Sequence, residues 1–240
     1  MKLSGKTVVI AGASGGIGNA LIERLAKEEV YFIFIGRSEE KLKELVKKYG
    51  NLHKYYIADF TNEKSIQNLI KSMKKDLVKI DVLINSAGIG VYKPFPDVGF
   101  DELRDSFYIN VFAPFWVTQG LLPLMRKSSS SVVISLGSGM GILPREMRSV
   151  YCATKFALRG MMLSLAQEIR GKRPQIVLIT LGSTLTDFGP LTVSDKKRKM
   201  SRGKSYFKPD WVADKLTNII KSENRLSEYR IFPRGYSSEV

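Results

Sequence analysis

The stretch KTVVIAGASGGIGNALIERL, Lys6–Leu25, decides the fold of this chain. A short β-branched run leads through a glycine-rich turn into apolar residues at helical spacing. Glycines often end strands, but this order near the start of a β-α-β pattern is typical of a turn that binds a dinucleotide. Gly12, Gly16 and Gly18 are predicted to supply positive φ angles and to let the backbone approach a ligand closely. The following helix would then offer free N–H groups to a pyrophosphate.

The rest of the chain repeats this alternation of short apolar runs and amphipathic stretches. Further strands are predicted within VYFIFIG (30–36), HKYYIADF (53–60), IDVLINSAG (80–88), SSVVISLGS (130–138) and QIVLITLGS (175–183), with YRIFP (229–233) as a possible edge strand. Long helices are expected over about 101–125 and 150–170, and Pro209 is placed to open a last helix. We therefore predict an α/β fold with one domain over residues 1–240. It is a Rossmann-type, doubly wound parallel sheet of about seven strands with helices on both faces.

Composition excludes several classes of protein. The 240 residues are 44% hydrophobic and 25% charged, which is typical of a globular chain. The single cysteine, Cys152, and the single histidine, His53, exclude an internal disulfide framework and a metal site built on those residues, so no metal is expected. No apolar run approaches the roughly 20 residues of a membrane span, and no secretory segment is recognisable. We expect a soluble, cytoplasmic protein without a membrane partner.

The net charge of +15 permits two interpretations. A basic protein can bind nucleic acid or an anionic surface, or it can simply have a solvated, lysine-rich exterior. The lysines are spread over most predicted helices, and no nucleic-acid-binding module is recognisable, which favours the second interpretation. Only DKKRKMSRGK (195–204) concentrates positive charge in a predicted loop.

Arg37 occupies a position that bears on cofactor choice. A dinucleotide site selective for NAD usually has an acidic residue after the second strand, but IGRSEE (35–40) has Gly36 and Arg37 there. A guanidinium suits the 2′-phosphate of NADP, although Arg37 could also be an ordinary surface residue. The sequence thus favours NADP(H).

The segment SVYCATKFALRG (149–160) carries the second chemical signal. Tyr151 and Lys155 are four residues apart, so a helix would bring a phenol and an ammonium to one face. By themselves the two residues would equally fit a half-buried tyrosine beside a solvated lysine.

Taken together, these motifs resemble the short-chain dehydrogenase/reductase family from Lys6 to about Ala213. The family's glycine motif is present with Ala11 in place of threonine, and its Asn-Asn-Ala-Gly motif occurs as Asn85-Ser86-Ala87-Gly88. Its tyrosine–lysine pair is intact, and its proline–glycine pair occurs as Leu181-Gly182.

The resemblance implies a catalytic set and a cofactor site. The catalytic residues would be Asn110, Ser138, Tyr151 and Lys155. Besides Tyr151 and Lys155, the cofactor would be held by Gly12, Ser14, Gly16, Ile17, Gly18, Arg37, Asp59, Asn85, Ala87, Gly88, Gly182, Thr184 and Thr186.

The implied activity is an NADP(H)-dependent reduction of a ketone or aldehyde to an alcohol, or the reverse. Tyr151 would act as general acid/base. An unperturbed tyrosine has a pKa of about 10, and a nearby ammonium favours its phenolate. In the family, the serine binds the substrate oxygen and the asparagine holds a water. The alternative is a nucleotide-binding sensor or scaffold without turnover, but such a protein would not need all four catalytic residues.

The resemblance also places a substrate loop at about residues 184–208, where the sequence shows little periodicity. The basic cluster of this loop fits an anionic substrate or an acyl-carrier protein, and fits equally well a disordered, lysine-rich flap. Family members commonly form homodimers or homotetramers through the two long helices. Phe112, Phe115, Met161 and Met162 suit either such an interface or a core. The sequence leaves substrate identity and reaction direction open.

Overall fold

A computed structural model of the chain describes residues 1–234, which form one seven-stranded sheet in the order β3-β2-β1-β4-β5-β6-β7. Every neighbouring pair of strands is parallel. The strands are β1 (Thr7–Ala11), β2 (Tyr31–Gly36), β3 (Lys54–Ile57), β4 (Val82–Asn85), β5 (Val132–Leu136), β6 (Gln175–Leu181) and β7 (Glu228–Ile231). The predicted fold class is confirmed, including the edge strand near the end of the chain. Residues 235–240 of the predicted domain lie outside the described part.

The helices follow the predicted alternation with the strands. They are α1 (Gly16–Leu25), α2 (Glu39–Tyr49), α3 (Glu63–Asp76), α4 (Phe100–Phe107), α5 (Ala113–Arg126), α6 (Ser149–Glu168), α7 (Val193–Met200) and α8 (Pro209–Lys221). The long helix expected over 101–125 is α4 and α5, joined by a π-helical turn at Tyr108–Phe112. None of the helices in the described residues is both long and apolar enough to cross a bilayer.

Helices cover both faces of the sheet, which explains why its strands read as continuous apolar runs. Val8 and Ile10 of β1 pack into the layer that contains α1, α2 and α8. Val9 and Ala11, which point the other way, pack into the layer formed by α3, α5 and α6. Successive residues of one strand therefore serve two cores.

The order of the strands reverses between β1 and β4, and this arrangement positions the site. In open α/β sheets, ligands bind outside the carboxyl ends of the strands at such a switch point. Here the turn after β1 meets the loop after β4. A Cβ added to Gly12 would lie 2.6 Å from the backbone nitrogen of Ala87, so only glycine permits this approach.

The segment predicted as a loop at 184–208 is more ordered than expected, because it contains α7. A reciprocal capping box starts this helix: the Asp195 N–H donates to Thr192 Oγ1, and the Thr192 N–H donates to the Asp195 carboxylate. The two ends of the segment also meet, since Thr184 pairs with Phe207. Polar caps rather than an apolar stripe support α7, which is why a search for apolar periodicity does not find it.

Candidate active site

A cleft of about 1130 Å³ opens at the carboxyl ends of the strands. This volume exceeds that of most small-molecule pockets. The lining does not include the predicted adenosine end at Arg37 and Asp59, so the cleft has room for the nicotinamide half of a dinucleotide together with a substrate. The cleft gathers most of the predicted site residues from five separate segments. Those that line it are Ile17, Ala87, Gly88, Ser138, Tyr151, Lys155, Gly182, Thr184 and Thr186.

Tyr151 and Lys155 lie in the first two turns of α6, and both line the cleft. Lys155 Nζ is 5.8 Å from the centroid of the Tyr151 ring and donates a hydrogen bond of 2.9 Å to the carbonyl of Leu136. Burial lowers the pKa of Lys155 to about 8, because the apolar surroundings disfavour its charged form. The phenol thus has a buried amine beside it that titrates not far above neutral pH.

Ser138 follows β5 and faces the same cleft. Its Oγ accepts a hydrogen bond from the Met140 N–H at 3.2 Å, which fixes the start of the short 3₁₀ turn Gly139–Gly141. One lone pair of the hydroxyl is used in this way, while its O–H hydrogen can still rotate toward a ligand.

Asn110 lies beneath the cleft rather than on its surface. It occupies the π-helical turn, and its side-chain amide bonds both backbone groups of Ile89 and the hydroxyl of Thr154. A Cβ added to Gly88 would lie 3.2 Å from Asn110 Oδ1 and 3.8 Å from Lys155 Nζ. The asparagine therefore connects the loop after β4 to α6, immediately behind Lys155.

The glycine turn is built for close approach more than for unusual dihedral angles. Only Gly12 has a positive φ, of 88°, so the prediction that Gly16 and Gly18 also adopt such angles is wrong. Both are needed for space: a Cβ on Gly18 would collide with the Gly12 carbonyl, and one on Gly16 with the Thr186 side chain. These two glycines lie within α1, where φ is negative.

The start of α1 suits the pyrophosphate of a dinucleotide. This helix has no side-chain cap and no acidic residue in its first turn. Its first amides are thus left for an anion, and no carboxylate of this turn competes for them. Ser14 is exposed in the turn just before it. The open, glycine-lined cradle fits a nicotinamide dinucleotide.

Arg37 and Asp59 mark the adenosine end of the predicted site. They follow adjacent strands, β2 and β3, and both are exposed. Hydrogen bonds from the backbone and hydroxyl of Thr61 lower the pKa of Asp59, and the guanidinium of Arg37 contributes in the same direction. The two predicted residues are therefore close enough to interact electrostatically.

Asn85 is the predicted cofactor residue whose side chain turns away from the cleft. Its amide donates to Thr118 Oγ1 at 3.2 Å and to Ser135 Oγ at 3.1 Å, all within the core. It ties the end of β4 to α5 and β5. This contact holds in place the loop that carries Ala87 and Gly88.

Two aromatic side chains that the sequence motifs did not identify flank Tyr151. The ring of Tyr92 is centred 5.8 Å from that of Tyr151, and the ring of Phe188 is 5.7 Å away. Both line the cleft. They come from irregular segments that match no motif, so only the folded chain brings them to the phenol.

Lys196 is the most informative residue of the basic cluster. Its side chain is buried, and its ammonium donates to the carbonyls of Thr186 and Phe188, the latter at 2.7 Å. Burial lowers its pKa, while Asp187 acts in the opposite direction. The lysine connects α7 to the wall of the cleft, so Lys196 does not belong to a disordered, lysine-rich flap.

Comparisons with known proteins agree with this geometry. A family model described as short chain dehydrogenase matches residues 6–197. An uncharacterized oxidoreductase of Staphylococcus epidermidis is 28% identical over 83% of this chain and 86% of its own. An NADP-dependent 3-hydroxy acid dehydrogenase of Schizosaccharomyces pombe is 33% identical over 82% of this chain and 79% of its own.

A solved structure gives the same result. The crystal structure of a short-chain dehydrogenase from Streptomyces avermitilis superposes with a TM-score of 0.82 at 26% identity and covers 95% of this chain and 88% of that one. The match of the family model extends over most of the chain and includes the tyrosine–lysine pair. The chain therefore belongs to the short-chain dehydrogenase/reductase family and is an oxidoreductase of that family.

Proposed function

We propose that this enzyme reduces a ketone or aldehyde to an alcohol with NADP(H), or catalyses the reverse reaction, with Tyr151 as general acid/base. The observation that carries the proposal is the pairing of Tyr151 with the buried Lys155 in a cleft that Ser138 also faces. Such a group of a proton donor, a cation and a hydroxyl suits a carbonyl oxygen that gains negative charge.

The cofactor would supply or accept the hydride. Family membership supports a nicotinamide cofactor, and the residues proposed to hold it are the glycine turn, Ala87 and Gly88, and the segment Gly182–Thr186. Arg37 would bind the 2′-phosphate as a planar, charged donor. The S. pombe relative, whose name states NADP dependence, supports this choice.

The side chains of the cleft would transfer the proton. The Tyr151 hydroxyl would donate to the carbonyl oxygen, and the Lys155 ammonium would stabilise the phenolate that remains. Ser138 would donate a hydrogen bond to the same oxygen. Tyr92 and Phe188 would shield the reacting atoms from water, which strengthens each of these interactions.

The side chains that line the cleft favour catalysis over a sensor or scaffold role. A protein that only binds nucleotide needs the glycine turn and the adenosine end. Lys155 could hold nucleotide as well, but a protein that only binds nucleotide does not need a phenol and a serine hydroxyl facing the same cleft beside the buried amine. That arrangement is explained by turnover.

A screen of ketones and aldehydes with NADPH, followed at the absorbance band of the reduced nicotinamide, tests the proposal. We expect oxidation of NADPH with at least one class of carbonyl compound, and weaker activity with NADH. Tight NADPH binding without turnover across the screen would instead support the sensor role.

A further inference from the structure

We propose that the substrate carries an anionic oxygen group, a carboxylate or a phosphate, which binds between Arg148 and Lys204 at the substrate end of the cleft. This inference rests on the proposed carbonyl reduction and adds the class of molecule reduced. Both cations line the cleft itself.

Arg148 is linked to the reaction centre by one aromatic ring. Its guanidinium carbon is 5.5 Å from the centroid of the Tyr92 ring, which is 5.8 Å from that of Tyr151. The residue immediately precedes α6 and is half-buried. A short substrate could therefore place its carbonyl at Tyr151 and an anionic end at Arg148.

Lys204 comes from the segment after α7 and faces the same space. Burial lowers its pKa, and so do the positive charges of Lys199, Arg148 and Arg145. In residues 1–234, neither Lys204 nor Arg148 forms an ion pair with a carboxylate. Crowded like charges are unfavourable by themselves and are relieved when an anion binds.

The cofactor does not account for these charges. Its pyrophosphate is expected at the start of α1 and its 2′-phosphate at Arg37, after β2. Arg148 is instead next to Tyr92, which contacts Tyr151, and Lys204 is close enough to Arg148 to interact with it electrostatically. An anionic group of the substrate would pair with both cations.

The placement also favours a small acid over an acyl-carrier protein. A protein partner would use an exposed basic surface, such as the face of α7 formed by Lys197, Arg198 and Lys199. Arg148 is half-buried and Lys204 is exposed, but both line the cleft that Tyr151 also lines. A small acid in this cleft can contact both cations and Tyr151.

The test compares matched pairs of substrates with and without charge. One pair is 4-oxopentanoate and its methyl ester, and the other is dihydroxyacetone phosphate and dihydroxyacetone, so the two pairs distinguish a carboxylate from a phosphate. With NADPH, we expect kcat/KM for one anion to exceed that for its neutral partner by about tenfold or more. This ratio should fall as potassium chloride is raised, because salt screens the attraction.

Variants assign the effect to the two cations. Arg148→Gln and Lys204→Gln should each lower the ratio of kcat/KM for the preferred anion to that for its neutral partner about tenfold. Lys197→Gln removes the same charge from the exposed face of α7 and should leave the ratio unchanged. An equal loss on both partners, or an equal effect of Lys197→Gln, overturns the inference.

Two further outcomes are decisive. The inference would be refuted if the neutral partners react as fast as the anions. It would also be refuted if the only ketone reduced is that of an oxoacyl group attached to a carrier protein. In both cases the oxidoreductase proposal stands. If no carbonyl compound is reduced, the proposed function itself fails. In that case calorimetry on the NADPH complex decides the inference: pentanoate must bind more tightly than pentanamide, and equal affinities overturn it.

Discussion

At the scale of single residues, the buried ammonium proposed for catalysis at Lys155 lowers the stability of the fold. A buried ammonium with one carbonyl partner is costly, and its lowered pKa of about 8 measures that cost. Since the folded chain binds this proton more weakly than the unfolded chain does, the contribution of Lys155 to stability improves as the pH rises from about 8 to about 10.5.

Replacement of Lys155 by methionine should therefore separate the two properties. Lys155→Met keeps the packing volume and removes the buried charge, so we expect no reductase activity and a free energy of unfolding higher by about 1–3 kcal/mol near pH 7. Urea unfolding of wild type and variant measures this difference. A variant less stable than wild type would show that the ammonium is well compensated in the folded state.

Arg37 is proposed to select NADP(H) over NAD(H). Arg37→Asp replaces a donor for the 2′-phosphate by an acceptor for ribose hydroxyl groups, so the ratio of kcat/KM with NADPH to that with NADH should fall by at least about a hundredfold. Steady-state kinetics with both cofactors measure this ratio. An unchanged ratio would mean that Arg37 does not contact the phosphate.

At the scale of elements, the sequence predicted the strands and most helices but not α7 or the π-helical turn between α4 and α5. The apolar runs of β1 and β2 are long enough to identify buried parallel strands. No local sequence pattern identifies the π-helical turn at Tyr108–Phe112. Within this turn, the side chain of Asn110 forms hydrogen bonds with the backbone of Ile89 and the hydroxyl of Thr154. These partners are distant in sequence.

Besides its backbone pairing with β6, the edge strand β7 is held by the carboxylate of Glu228. Glu228 accepts two hydrogen bonds from Arg159 of α6, at 2.9 and 3.0 Å, and one from Thr180 of β6 at 2.6 Å. The hydrogen bonds from Arg159, together with that from Thr180, lower the pKa of Glu228 to about 2. Its stabilising effect is therefore complete above the unfolded pKa of 4.5 and is lost as the pH falls toward about 2.

Glu228→Gln tests this dependence on pH. The variant should lose about 1–3 kcal/mol of unfolding free energy near pH 7, and the gap to wild type should close as the pH is lowered below about 4. Denaturant unfolding across this pH range measures the gap. A gap that does not change with pH would mean that the carboxylate charge is not what holds β7.

At the scale of the whole molecule, topology explains why motifs far apart in the sequence come together, while the shape of the cleft could not be predicted. The parallel order brings Gly12, Gly88, Ser138 and Tyr151 to one edge although they span most of the chain. The motifs identify these residues. They do not identify Tyr92, Phe188 or Arg148, whose positions depend on loop conformations that no local pattern encodes.

Self-association through α4, α5 and α6 remains a prediction at this scale. Phe112 and Phe115 are 39% and 41% exposed in the single chain, as an interface requires. Met162 is buried in the core instead. Phe112→Glu with Phe115→Glu should shift the molecular mass measured by light scattering toward that of a monomer. Leu52→Glu, at an exposed apolar side chain between α2 and β3, is the control. A mass that does not change in the double variant would contradict this interface.

Reduction of a carbonyl compound by the Tyr151→Phe variant tests whether Tyr151 is the general acid. We expect kcat to fall about 10²–10⁴-fold, since the ring still packs but the proton donor is gone, with NADPH affinity within about threefold of wild type. Tyr55→Phe removes a hydroxyl remote from the cleft and should retain full activity. A Tyr151→Phe enzyme that reduces the substrate at nearly the wild-type rate would contradict the account.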